Sequence, residues 1–118
     1  MPHIIVEHSL DLVDPLKANG LLDTIFVAVE STGLFNLENI KVRLHPVDDY
    51  KLGLASSGFI HVTCRIHQGK TEQQKQQLTQ SVLNAIALWM QQARRSCVIT
   101  VELVELGRAS YAKTIVEV

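Results

Sequence analysis

The chain has 118 residues, 47% of them hydrophobic, and carries 11 Lys plus Arg against 12 Asp plus Glu for a formal charge of -1. That is one domain, residues 1 to 118, able to bury roughly two-thirds of its unfolded surface without disulfides or metal. The balanced charge argues against a nucleic-acid or membrane-surface binder, which would carry a marked basic excess, and no apolar run approaches the roughly 18 residues of a membrane span.

Residues 3 to 7, HIIVE, are apolar and partly β-branched and predict a strand at the amino end. The opening MPHIIVEHSLDLVD has no cationic start and gains acids early, so it does not read as a signal peptide. Asp14 before Pro15 can cap and open a helix, or Asn19 beside Gly20 can open it later. Leu22, Ile25, Phe26 and Val29 then recur at helical spacing until Gly33 supplies the stop. Residues 40 to 47, IKVRLHPV, alternate strictly, with Ile40, Val42 and Leu44 on one face and Lys41, Arg43 and His45 on the other. This predicts a half-buried strand with a cationic polar face.

A loop through Asp48, Asp49, Leu52 and Ser57 leads to a third strand over 59 to 66, FIHVTCRI, ended by Gly69. Thr71 and Gln74 have capping-box spacing. The helix after them presents Leu78, Val82, Ala85, Ile86, Trp89 and Ala93 to the core, with Arg94 and Arg95 at the negative end of its dipole. Residues 97 to 105, CVITVELVE, predict a fourth strand, and 110 to 118, SYAKTIVEV, a short terminal strand available to another subunit. Strand, helix, strand thus occurs twice, dividing near residue 55. Two α+β topologies share that order: the ferredoxin-like fold, and two βαβ units side by side in a four-stranded sheet with both helices on one face. In the second, the free face of a sheet rich in Val and Ile is expected to be buried by other subunits.

Charge is unevenly placed. Residues 1 to 40 hold six acids and one base, whereas residues 41 to 95 hold eight bases and three acids. Lys41 and Arg43 on one strand face, with Lys70 at a helix amino end, could form a pocket for a small polycarboxylate or be a solvated cationic face. Cys64 and Cys97 form no CxxC pair and read as buried thiols of a reduced, cytoplasmic protein. The five histidines show no metal-ligand spacing, and there is no nucleophile elbow or Gly-rich phosphate loop. Pro2 is the remaining candidate. Methionine is usually removed before proline, which would leave a secondary amine joined to a buried strand. Desolvated and flanked by cations, such an amine is a general base near neutral pH; the bland alternative is a proline there by chance.

Taken together, PHIIVE with proline second, STGLF after the first helix, IKVRLHPVD on the cationic strand and FIHVTCRIHQGKT entering the second helix resemble the 5-carboxymethyl-2-hydroxymuconate isomerase family of the tautomerase superfamily. The likeness runs from residue 2 to about 106. It implies a homotrimer of paired βαβ units, with Pro2 as base and Lys41 and Arg43 as the basic strand gripping the carboxylates of an unsaturated keto acid. Lys70 falls where relatives often have arginine, keeping the charge but losing the bidentate fork. His45-Pro46 replaces a histidine followed by an aromatic residue in some relatives. The implied activity is cofactor-independent keto-enol isomerisation in aromatic-acid catabolism, since a dienol carries its own electron delocalisation and needs neither metal nor cofactor. Two alternatives are a non-catalytic trimeric small-ligand or protein-binding module on the same fold, and a monomeric or dimeric ferredoxin-like regulator.

Overall fold

The computed structural model describes residues 1–14, 17–53 and 58–118. Its elements are β1 (His3–Ser9), α1 (Ala18–Ser31), a 3-10 turn (Leu37–Asn39), β2 (Lys41–Val47), β3 (Gly58–His67), α2 (Glu72–Gln92), β4 (Cys97–Leu106) and a second 3-10 turn (Arg108–Ser110). The sheet order is β2-β1-β3-β4. Each strand after a helix pairs in parallel with the strand before it, and the two βαβ units meet through the antiparallel β1–β3 pair. The ferredoxin-like alternative, in which β2 would pair with β3 and β4 with β1, is thereby excluded.

Period-two burial places Ile4 and Val6 of β1 and Ile60, Val62, Cys64 and Ile66 of β3 against the helices. From α1 the core takes Leu21, Ile25 and Val29, with Phe26 packed alongside. Leu22, expected inside, is only half-buried, because the helix starts at Ala18 and its inward line runs through Leu21. Neither Asp14 nor Asn19 is its N-cap; Lys17 is, without a side-chain cap, and the Lys17 N–H donates to the Asp14 carbonyl at 2.8 Å. Pro15 and Ser57 lie outside the described residues.

At α2 the expected capping box is present: Thr71 Oγ1 accepts from the Gln74 N–H at 3.1 Å, and Gln74 Oε1 accepts from the Thr71 N–H at 2.9 Å. Leu78, Val82, Ile86 and Met90 are its buried residues. Ala85 and Trp89 are half-buried, and Ala93, expected in the core, is the exposed C-cap, its place inside taken by Met90 one turn earlier. Arg94 has φ 55°, and the Arg95 and Arg94 N–H groups donate back to the Met90 and Gln91 carbonyls, a Schellman ending built on arginine instead of glycine. Gly58 opens β3 because Leu12 folds over it: a Cβ there would lie 2.9 Å from Leu12 Cδ1.

The face turned away from the helices differs from the apolar surface expected. The valines and isoleucines of β1 and β3 mostly alternate inward, which leaves His3, Glu7, Lys41, Arg43, His61, Arg65, Thr100 and Glu102 outward, with Ile5, Phe59 and Val98 between them. His61 bridges β3 to β4 there, with Nδ1 2.7 Å from Thr100 Oγ1 and Nε2 2.8 Å from Glu102 Oε1. The expected terminal strand is likewise absent: residues 111 to 118 have no regular structure. A turn at Arg108–Ser110 takes the chain off the line of β4, Tyr111 packs edge-on against His67 and His3, and Ile115, Val116 and Val118 remain exposed. Among the described residues no helix is long and apolar enough to cross a membrane.

Candidate active site at the amino end of the first strand

Parallel pairing with β2 pins the amino end of β1. Pro2 is buried, and its carbonyl accepts from the Lys41 N–H at 3.2 Å, extending the ladder one residue beyond His3. Beside this end lies a cavity of about 430 Å³, its walls supplied by Met1, by Leu34, Phe35, Asn36 and Asn39 after α1, by His67, Gln68, Gly69 and Lys70 between β3 and α2, and by Arg108 after β4. Gly69, at φ 122°, makes a turn that L-residues rarely adopt and delivers Lys70 to the wall.

The cavity is cationic and uncompensated. Lys70 Nζ sits 5.5 Å from the centroid of the Phe35 ring, a cation–π contact. No ion pair engages Lys70 or Arg108 among the described residues, and no Asp or Glu lines the cavity. Lys75 shows the contrast: Glu105 at 2.6 Å and Glu72 at 2.9 Å neutralise it and hold its ammonium above the ordinary range. Burial, then the Lys41 and Lys113 charges, pull the Met1 amine below its ordinary value. Burial, then the amino terminus, Arg108 and Lys70, hold the His67 imidazole down in the same way, and its Nδ1 is buried without a hydrogen-bond partner among the described residues.

Of the residues singled out in the sequence, Pro2 and Lys70 thus converge on this end of the molecule. Lys41 flanks it, its Nζ donating to the Asn39 carbonyl at 3.1 Å and its charge acting on the terminal amine. Arg43 is outside the cavity, exposed on the outer sheet face, where a guanidinium N–H donates to His3 Nδ1 at 3.3 Å. The sequence reading missed His67, Asn39 and Arg108. His67 and Phe35 lay within the quoted motifs and could have been weighed; Arg108 is the one base between Arg95 and Lys113, and that isolation is its sole signal. A larger groove of about 630 Å³ between α1 and α2 is lined by Val27, Ala28, Leu88 and Trp89 and has no cation to receive an acid. Among the described residues no three His, Cys, Asp or Glu gather into a possible metal site.

The family model for 5-carboxymethyl-2-hydroxymuconate isomerase matches residues 2–116. The chain is 30% identical over 88 residues to an Escherichia coli 5-carboxymethyl-2-hydroxymuconate Delta-isomerase, an alignment covering 73% of this chain and 70% of that protein. Its fold is similar to that of a 5-carboxymethyl-2-hydroxymuconate isomerase from Deinococcus radiodurans R1, with a TM-score of 0.79 at 20% identity over 96% of this chain and 88% of that one. It is also similar to a fused 4-OT wild-type asymmetric trimer, with a TM-score of 0.72 at 14% identity over 94% of this chain and 91% of the other.

Proposed function

The chain belongs to the 5-carboxymethyl-2-hydroxymuconate isomerase family and is an isomerase; we propose that it moves a proton along an unsaturated 2-hydroxy or 2-keto di- or tricarboxylic acid, with Pro2 as the base. The observation that carries this reading is a buried amino end beside a cavity whose cations have no acidic partners. With Met1 attached the Pro2 nitrogen is an amide. Removal of Met1 exposes a secondary amine beside the burial and the Lys41 and Lys113 charges that depress the Met1 amine, and the same causes enlarge the neutral, proton-accepting share of the proline amine.

In the proposed reaction Pro2 nitrogen takes the proton of the dienol hydroxyl, or of the carbon in the reverse sense. Negative charge spreads to the conjugated oxygen, and the protonated proline returns the proton to another carbon of the same conjugated system. Lys70 and Lys41 hold carboxylates and so fix the reacting atoms next to the amine. Positive charge already in place around the cavity stabilises the developing oxyanion without the reorganisation that water would need. Arg43 adds charge one alternation along the same strand face from Lys41. The conjugated substrate supplies its own delocalisation, and no cofactor enters the scheme.

Assembly belongs to the same proposal. The fused 4-OT relative of this fold is a trimer, and a homotrimer would place neighbours against the outer sheet face and give the exposed Ile115, Val116 and Val118 a surface to cover. A reduced cytoplasmic enzyme of aromatic-acid breakdown is part of the same proposal, and the free thiols of Cys64 and Cys97 accord with it. The test is an ultraviolet assay of ketonisation across 2-hydroxymuconate-type acids with protein beginning at Pro2. Turnover well above the spontaneous rate supports the proposal. Tight binding of these acids without turnover would make the chain a binding module.

A further inference from the structure

We propose that Arg108 binds a substrate carboxylate remote from the reacting carbon and so sets a preference for acids that carry a further carboxylate. This rests on the isomerase reading above and adds a specificity-determining residue to it. Arg108 and Lys70 reach the same cavity from different loops, one after β4 and the other before α2, and neither is spent on an acid of this chain among the described residues. They put two fixed positive charges around about 430 Å³, a volume suited to a small polyacid. One carboxylate cannot compensate both.

The two cations also differ in what they can select. Lys70 is a point charge, already facing the Phe35 ring. Among the described residues Arg108 is the one guanidinium lining the cavity, and a planar fork of donors matches a carboxylate in two parallel hydrogen bonds. Its backbone is held in place. The Ser110 N–H donates to the Gly107 carbonyl at 3.0 Å and the Tyr111 N–H to the Arg108 carbonyl at 3.3 Å. Tyr111 is tied to β1 and β3 through His3, 3.2 Å from its hydroxyl, and through the edge of His67, 4.9 Å between ring centroids. Lys113 Nζ donates to Asn39 Oδ1 at 2.8 Å, which anchors the segment to the opposite cavity wall. A turn braced at three points gives up little backbone freedom when a carboxylate docks on its arginine, so the cost falls on the side chain alone.

The experiment compares wild type, Arg108→Ala and Arg108→Lys, each starting at Pro2, on 5-carboxymethyl-2-hydroxymuconate with three carboxylates and 2-hydroxymuconate with two. Arg108→Ala should raise KM for the tricarboxylate on the order of 10- to 100-fold, the size expected for a lost charge-assisted pair, with kcat nearly unchanged. KM for the dicarboxylate should move less than about threefold, and Arg108→Lys should lie between. Calorimetry with two unreactive probes, propane-1,2,3-tricarboxylate and glutarate, should show wild type favouring the tricarboxylate and Arg108→Ala losing that preference. Equal KM changes for both acids, or an unchanged probe preference, would overturn the role of Arg108 while leaving the isomerase intact. Absence of turnover on both acids would instead overturn the isomerase reading, and the probe preference would then decide Arg108 by itself.

Discussion

Arg43 donates to Nδ1 of His3 at 3.3 Å, and this one contact settles the tautomer of His3. A guanidinium only donates, so Nδ1 accepts and the ring hydrogen lies on Nε2, which donates to the Tyr111 hydroxyl at 3.2 Å. Arg43, His3 and Tyr111 therefore form a chain from the edge strand, over the outer face, to the segment that carries Arg108. That chain requires a neutral imidazole.

Burial first, then Arg43, Lys41, the amino terminus and Arg65, lower the His3 pKa from 6.5. A histidine depressed on folding binds fewer protons folded than unfolded. Its contribution to stability is therefore complete above 6.5 and is lost as the pH falls from there through its own lower pKa. His67 acts in the same direction. Arg43→Ala removes the Nδ1 donor and a like charge, so His3, followed by NMR, should titrate closer to 6.5, while His67 should scarcely move. An unchanged His3 titration would mean that Arg43 does not govern it in solution.

Lys70→Ala should raise KM roughly 10-fold with a smaller effect on kcat, because a point charge holding a carboxylate serves ground state and transition state alike. Lys70→Arg should bind at least as well, restoring charge and adding the fork. Steady-state kinetics on both variants would check this. Equal loss in the two variants would mean that the lysine's shape, through its seat over Phe35, matters more than its charge.

Much of this architecture was legible because it rests on local patterns. The strict alternation of residues 40 to 47 foretold β2 with its cationic side, and Thr71 with Gln74 foretold the start of α2. The choice between Leu21 and Leu22 was not legible, since adjacent leucines both fit a helical period and packing on the sheet decides. The terminal segment misled because SYAKTIVEV has strand composition, yet in the chain Tyr111 leaves the sheet to join His3 and His67, a contact across 108 residues for the first of these. Arg108 was hidden for a related reason: an isolated cation acquires meaning only when the turn after β4 brings it beside residues 67 to 70.

Arg94 offers a test of the fold independent of catalysis. It occupies the left-handed position of the Schellman ending at φ 55°, where a Cβ is unfavourable. Arg94→Gly should stabilise the protein by about 0.5–1 kcal/mol, net of the greater freedom glycine gives the unfolded chain. Urea denaturation measures it. A destabilised variant would show that the arginine side chain makes an interaction in solution that outweighs the backbone relief.

Truncation after Ser110 removes the Tyr111 contacts, the Lys113–Asn39 bond and the exposed Ile115, Val116 and Val118. The truncated protein should melt at lower temperature and dissociate from the proposed trimer at higher concentration than the full chain. Sedimentation equilibrium with thermal denaturation would show both. An equally stable trimer would make residues 111 to 118 a mere tail.

The amine itself is the most direct object of measurement. We would determine kcat/KM against pH for two proteins of verified amino-terminal mass, one beginning at Pro2 and one with a single residue retained before it. A Pro2 base requires that the first gains activity with rising pH through one ionisation well below the ordinary range of a terminal proline amine, and that the second, whose Pro2 nitrogen is an amide, is inactive at every pH. Full isomerase activity in the protein with the blocked proline would contradict it.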